Sequence, residues 1–331
     1  MNKKKIIYLL AITALLFTAT SCQQEEDPTM GKAKVTFIAE LPELPEHLDS
    51  RAIGDGDYAN ELFFWVYDEA GHEIQGLRQR NIDFQGSLAY VTVYLTPGHT
   101  YKFAFWAQHK DITSYAPGNS VIQMNYRGVF CNDETRDAFW NWIPALEVTE
   151  AGEVTQDIIL VRRLAQVNCG ITLTAFQEAK RAGVDLNDYD SELRLESTSE
   201  PLAYTFFDVV TGAPITNDED ANVFSLKFKT ATMPNEPLRV NGDSYMYLAL
   251  SYFQPLVDEY TLGDATLVLH HKLRLKPDIT YTWPNSRFKG NHRTNLLIRS
   301  LTESVKFDVI IDQNFANKDY NYDTDGNPIG D

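Results

Sequence analysis

The 331-residue sequence predicts an all-β protein of two β-sandwich domains in tandem, with one or two short helices. Three observations carry that expectation. Short apolar stretches, several alternating with period two, recur from residue 33 onward and are separated by Gly, Pro, Asn and Asp. Helical character surfaces at only two places. The length divides into two units at roughly 150 residues per domain, and 44% hydrophobic residues with 12% aromatic are enough for two packed cores.

The chain opens on a leader, residues 1–21. Lys3, Lys4 and Lys5 form a positive start, Ile6 to Phe17 an apolar run too short for a spanning helix, and Ala19, Thr20 and Ser21 lead into Cys22. This is an export signal. The small residues followed by cysteine resemble the lipobox of bacterial lipoproteins, which implies that Cys22 is acylated and becomes the first residue of the mature chain. An ordinary signal peptide with Cys22 in passing is the alternative. Acyl chains on one cysteine would hold the body at a membrane at about 0.8 kcal/mol per buried methylene. Gln23, Gln24, Glu25, Glu26 and Asp27 follow. That cluster, within a tether of residues 22–31, resembles the tag that sends Bacteroidetes lipoproteins to the outer face of the outer membrane; a plain solvated tether is the other reading.

Ala33, Val35, Phe37, Ala39 and Leu41 alternate with Lys34, Thr36 and Glu40, which predicts a half-buried first strand. A Pro- and Gly-containing break runs from Pro42 to Asp57. Leu62 to Tyr67 is apolar throughout and turns back at Asp68-Glu69-Ala70-Gly71. Leu88 to Leu95 and Tyr101 to Trp106 flank Thr96-Pro97-Gly98-His99, which predicts a hairpin. A short helix is expected at Asp133 to Trp142, and a second at Ala175 to Ala182 with Gly183 as its left-handed cap. Strands are expected at Val154–Val161, Ala165–Thr174, Val223–Phe228, Tyr245–Phe253, Thr266–Leu275, Ile279–Trp283, Leu296–Leu301 and Val305–Ile311. The domain boundary is placed near residue 157, giving 32–156 and 157–315, with a polar tail at 316–331.

Composition excludes one class of partner. With 29 Lys and Arg against 46 Asp and Glu, the net charge is -17, and an acidic surface repels nucleic acid. Loss of the three leader lysines leaves 26 bases and 46 acids, a charge of -20. No catalytic constellation emerges, and no enzyme, metal or cofactor is expected. His270 and His271 are neighbours on a strand and must point to opposite faces; the other five histidines are scattered. Gly242-Asp243-Ser244 reads as a turn into a strand rather than a nucleophile elbow. Asn321, Asp323, Asp325 and Gly326 begin like an EF-hand loop, but its twelfth position would fall beyond Asp331. Cys131 and Cys169 are expected as separate buried thiols, although an exported chain could pair them.

Several stretches in order resemble one family. They are Cys22 with its acidic cluster, Leu62 to Asp68, Tyr101 to Gln108, Asn132 to Phe139, Arg162 to Asn168, His292-Arg293-Thr294-Asn295 and Phe307 to Asp312. Over residues 32–315 the chain resembles the fimbrillin-like lipoproteins of Bacteroides and its relatives, in a two-domain branch. The resemblance implies two transthyretin-like sandwiches, export to the cell surface, and an arginine-directed cleavage in the loop after the first strand. Loss of that strand would open a groove for a strand from a neighbouring pilin subunit, by β-augmentation. Arg51, followed by Ala52, is the only lysine or arginine between Lys34 and Arg78 and is the candidate cleavage site, with an ordinary loop arginine as the alternative.

In the tail, Phe315, Tyr320, Tyr322 and Ile329 stand at uneven intervals, unlike a donor strand that alternates apolar and polar residues. An accessory, tip or anchor subunit, or an adhesin, is therefore expected ahead of a shaft pilin. The alternative is a surface lipoprotein binding glycans or host proteins through an aromatic platform of Trp140, Trp142 and Trp283, unless those side chains belong to the cores.

Overall fold

The computed structural model describes residues 31–42, 58–126, 133–197, 201–217, 223–228, 238–240, 243–256, 260–299, 307–313 and 319–322. The first half of the chain contributes β1 (Ala33–Glu40), β2 (Glu61–Tyr67), β3 (Gln79–Asp83), β4 (Leu88–Leu95), β5 (His99–Gln108), β6 (Tyr115–Pro117), β7 (Val121–Met124), β8 (Phe139–Val148), β9 (Glu153–Ile159) and β10 (Val161–Arg162). A three-stranded sheet, β4-β1-β9, faces a five-stranded sheet, β10-β8-β5-β2-β3. Between them lies a core of Val35, Phe37, Leu62, Phe64, Val91, Phe103, Phe105 and Phe139.

The second half contributes β11 (Ala165–Thr172), the helix α1 (Leu173–Arg181), β12 (Tyr189–Glu196), β13 (Phe206–Asp208), β14 (Ala213–Ile215), β15 (Val223–Phe228), β16 (Leu238–Val240), β17 (Asp243–Phe253), β18 (Thr261–His271), β19 (Ile279–Phe288), β20 (His292–Ile298), β21 (Phe307–Gln313) and β22 (Asp319–Tyr322). A six-stranded sheet, β16-β17-β11-β20-β21-β22, packs on a four-stranded sheet, β15-β12-β18-β19. Val167, Cys169, Leu193, Leu195, Leu267 and Trp283 lie in the core between them. The all-β expectation of paired sheets is met.

A fifth sheet, β14-β13-β7-β6, draws strands from both halves. Phe207 of β13 stands opposite Ile122 of β7 and is buried with Trp65, Trp106 and Trp140. This layer covers the outer face of the five-stranded sheet. It explains why β2 is apolar at every position from Leu62 to Tyr67 rather than alternating: Leu62, Phe64 and Val66 face the inner core, and Phe63, Trp65 and Tyr67 face the added layer.

Three expectations need correction. The segment Thr96 to His99 does not close a hairpin, because β4 pairs with β1 while β5 pairs with β2 and β8. It is an arch from one sheet to the other, with Gly98 at φ +82. The Tyr101 hydroxyl pins it, donating to the Thr96 carbonyl at 3.1 Å and accepting from the Thr96 N–H at 3.2 Å. The segment Asp133 to Trp142 is not a helix: Asp133 caps a single 3-10 turn, Glu134–Arg136, and β8 starts at Phe139. Aromatic and β-branched residues there have a sheet to join, and tertiary pairing overrides the local charge pattern. The expected strand Val154–Val161 is two strands, since β9 pairs with β1 and β10 with β8, so the chain changes sheets at buried Leu160.

The second helix is present one turn-edge earlier than expected. The Thr172 side chain accepts from the Ala175 N–H at 3.1 Å, and Gly183 follows at φ +82. The tail residues Asp319–Tyr322 pair with β21 as the outermost strand of their sheet.

Candidate functional site

The first strand is central in its sheet rather than at an edge. β1 lies antiparallel to β4 over Ala33↔Leu95 to Glu40↔Leu88 and parallel to β9 over Lys34↔Glu153 to Glu40↔Ile159. Ala33, Val35, Phe37 and Ala39 are wholly buried, while Lys34, Thr36, Ile38 and Glu40 are half-buried on the outer face. The Phe37 ring lies 4.6 Å from that of Phe103, 5.4 Å from Phe105 and 5.6 Å from Phe64. Without β1, two ladders would lose their partner and a hydrophobic slot would open above those three rings. Leu41 is buried where the strand leaves the sheet, and the chain is next described at Tyr58.

The second built region lies where the two halves meet. Arg136, 1% exposed, precedes β8 and reaches into the second half, donating to the Ser251 Oγ at 3.1 Å and the Tyr252 carbonyl at 2.9 Å. The Tyr115 hydroxyl in turn donates to the Arg136 carbonyl. Next to it, Asp137 takes Arg162 on both carboxylate oxygens, with Nε to Oδ1 at 2.6 Å. Burial pushes the Asp137 carboxyl up from its ordinary value, and Arg162 pulls against that shift. The Arg162 guanidinium also sits 4.8 Å from the Phe139 ring centre.

Behind this pair the Gln166 amide donates to Asn168 at 2.9 Å, and Asn168 to Asn295 across the β11–β20 register at 2.8 Å. Tyr126 bridges the same halves, donating to the Tyr204 carbonyl and accepting from the Gln254 N–H. Three of the sequence stretches singled out for their resemblance, through their described residues 133–139, 162–168 and 292–295, thus converge on one buried polar seam. Sequence reasoning found the stretches and missed their role, because Arg136 meets Ser251 across 115 positions.

The aromatic platform is not assembled. Trp140 is buried in the seam, donating its indole N–H to the Val209 carbonyl at 2.8 Å, with the Arg163 guanidinium 4.0 Å from its ring centre. An added Cβ on Gly212 would lie 2.4 Å from the Trp140 ring, so the ring needs a glycine there. Trp283 is fully buried in the second core, and Trp142 is half-buried, 5.4 Å from Tyr67. Indoles that close cores cannot present a shared face to a sugar.

Cys22, Gln23, Gln24, Glu25, Glu26, Asp27, Arg51, Ala52 and Cys131 lie outside the described residues, as does the acidic segment from Asp323. Cys169 is buried, and burial pushes its thiol well up. His270 is half-buried between Asp278 at 2.9 Å and Glu192 at 3.5 Å, while His271 points inward against Tyr189. Among the described residues no group of three His, Cys, Asp or Glu is placed to hold a metal, and no helix is long and apolar enough to cross a membrane. Asp243 and Ser244 are the first residues of β17 rather than a turn before it, and Gly242 lies outside the described residues.

The solved structures similar in fold include a candidate cell-adhesion protein from Bacteroides ovatus, 12% identical, covering 85% of this chain and 98% of its own at a TM-score of 0.50. They also include the fimbrial anchor protein Mfa2 of Porphyromonas gingivalis, 10% identical over 84% of this chain and 97% of its own with a TM-score of 0.42. The tip fimbrial protein Mfa3 of the same organism is 10% identical over 85% and 99%, with a TM-score of 0.44. No curated protein matches the chain. A family model matches residues 26–329, and the chain belongs to that family, the family of unknown function DUF6562.

Proposed function

We propose that this protein is a cell-surface lipoprotein of the fimbrillin type, an accessory, tip or anchor subunit of fimbriae or a surface adhesin. Its domains run over 32–156 and 157–315, after a removed leader (1–21) and an acidic tether (22–31), with a tail at 316–331. The lipid on Cys22 attaches it to the outer membrane, with Gln23 to Asp27 directing it outward. The observation that carries this reading is the central placement of β1: a single N-terminal strand whose buried side chains peg it into the core between two partners. Cleavage after Arg51 would release that strand from the body and leave an acceptor slot for another subunit's strand. Where Arg51 stays intact, lipid and strand remain attached and the molecule serves as an anchored adhesin or terminal subunit. Pairing of Asp319–Tyr322 with β21 of the same chain supports a non-donor role for this tail. The adhesion assignment of the Bacteroides ovatus protein accords with the same surface role.

N-terminal sequencing of protein taken from intact cells, with unheated and heated electrophoresis of the same sample, tests the reading. A start at Ala52 in heat-resistant ladders is expected of assembled subunits, and acylated Cys22 of the anchored form. An unacylated start anywhere else, from protein recovered inside the cell, overturns it.

A further inference from the structure

The hairpin between β18 and β19 ends in His271-Lys272-Leu273-Arg274-Leu275-Lys276, and residues 272–278 are all exposed. Leu273 and Leu275, at 72% and 76%, are the most exposed large apolar side chains among the described residues. A single exposed leucine is ordinary, but two interleaved with three cations at one apex are not. The cations are also out of character with a chain whose net charge is -17. The one acid in the tip, Asp278, is engaged with His270, and Lys272 stands 4.0 Å from Asp190. Arg274 and Lys276 have no carboxylate against them among the described residues.

The apex is held rather than loose. The Lys272 N–H donates to the Asp188 carbonyl at 2.8 Å, and the Arg274 N–H to the His271 carbonyl at 2.8 Å. The Lys272 ammonium donates to the Asn187 carbonyl at 2.7 Å, and that of Lys276 to the Gly183 carbonyl at 2.5 Å, just past α1. The Leu273 N–H donates to His271 Nδ1 at 3.2 Å. Arg274 adopts φ +52 without being glycine, a conformation that these contacts support. With both ammonium groups tied to main-chain carbonyls, the loop loses little freedom on docking.

The geometry points to the β18–β19 apex as a membrane-docking tip whose occupant is a bilayer bearing anionic phospholipid headgroups, with Leu273 and Leu275 entering the interface and Lys272, Arg274 and Lys276 among the headgroups. Charge complementarity selects that occupant. The acidic remainder of the molecule is repelled by an anionic bilayer, so attraction at this one apex also fixes orientation. An amphipathic cationic and leucine surface is the pattern that partitions to such interfaces.

The test is sedimentation of the full chain with vesicles of phosphatidylcholine alone and with about a third phosphatidylserine, comparing wild type with L273S/L275S, R274Q and K272Q/R274Q/K276Q. The leader is common to every arm, so differences report the apex. On the anionic vesicles we expect a loss of about tenfold per leucine and about fivefold per cation. The charge variants should also bind the two vesicle types more nearly alike. Circular dichroism and melting curves matching wild type are expected of L273S/L275S and R274Q, whose side chains are exposed and make none of the anchors to the α1 segment; K272Q/R274Q/K276Q also removes the Lys272 and Lys276 anchors, so R274Q is the variant that reads charge alone. Equal partition of wild type and L273S/L275S on anionic vesicles overturns the proposal. So does loss of self-association in L273S/L275S with vesicle binding unchanged, which would make a second copy of this chain the occupant.

Discussion

The slot beneath β1 and the seam between the halves are both buried, yet they are held by opposite chemistry. At the slot, a continuous strand is fixed by main-chain ladders and four apolar pegs, with Lys34–Glu153 at 3.3 Å as the ion pair at its exposed start. Any segment that alternates correctly could fill the same place. At the seam, Arg136 closes on Ser251 and Tyr252, Arg162 on Asp137, and Asn168 on Asn295, each pair made from widely separated positions. No generic segment can substitute there, because each missing partner strands a buried polar group. An apolar slot with a regular backbone permits exchange; a buried polar network enforces one arrangement of the halves.

Deleting residues 32–41 should have the largest effect. Loss of Val35, Phe37 and their neighbours removes on the order of 5–10 kcal/mol of burial, comparable with the whole stability of a domain. A synthetic Ala33–Leu41 peptide added in trans should restore a cooperative melt. Failure of the peptide to do so, with the body otherwise folded, would contradict an exchangeable slot.

Asp137→Ala comes next, with an expected loss of about 3–5 kcal/mol in denaturant unfolding because the buried Arg162 guanidinium loses the carboxylate that opposes its charge. Replacing both, as D137L/R162M, should recover much of that loss. A single mutant within ~1 kcal/mol of wild type would mean that water reaches the seam and that the contrast with the slot is false.

His292, at the start of β20, links the seam to pH. Burial lowers its pKa, with the Gly290 carbonyl on Nδ1 opposing that shift. The unfolded chain therefore takes up the proton first as acid is added. Its contribution to stability is complete above the ordinary histidine value of 6.5 and is lost as pH falls through it. Melting temperature against pH should flatten over that window in H292Q. The smallest effect belongs to Lys34→Gln, where an exposed pair should contribute no more than about 1 kcal/mol.

Much of the sheet structure was legible where alternation was strict. Ala33 to Glu40 and Val223 to Phe228 stand as strands where period-two patterning put them. Tyr189 to Glu196 carries the same alternation, Tyr189, Ser191, Leu193 and Leu195 all buried, but Ser191 at an inward position breaks the apolar pattern that would mark it as a strand in the sequence. The three-residue strands of the shared sheet are too short to carry a period. Thr96-Pro97-Gly98-His99 has the residues of a turn, but turn chemistry sets only the reversal of the chain and not which sheet receives it. The tryptophans misled for a related reason: composition says nothing about whether an indole faces solvent or a second layer.

Patterning, turn residues and charge are local or summed properties, so the sequence alone determined the all-β class, the acidic composition and the amphipathic first strand. Partner choice is non-local. It took tertiary structure to decide that β1 sits between β4 and β9, that strands from both halves share one sheet, and that Arg136 closes on Ser251 and Tyr252. A buried donor must find its acceptor in space, and neither periodicity nor composition records which one it finds.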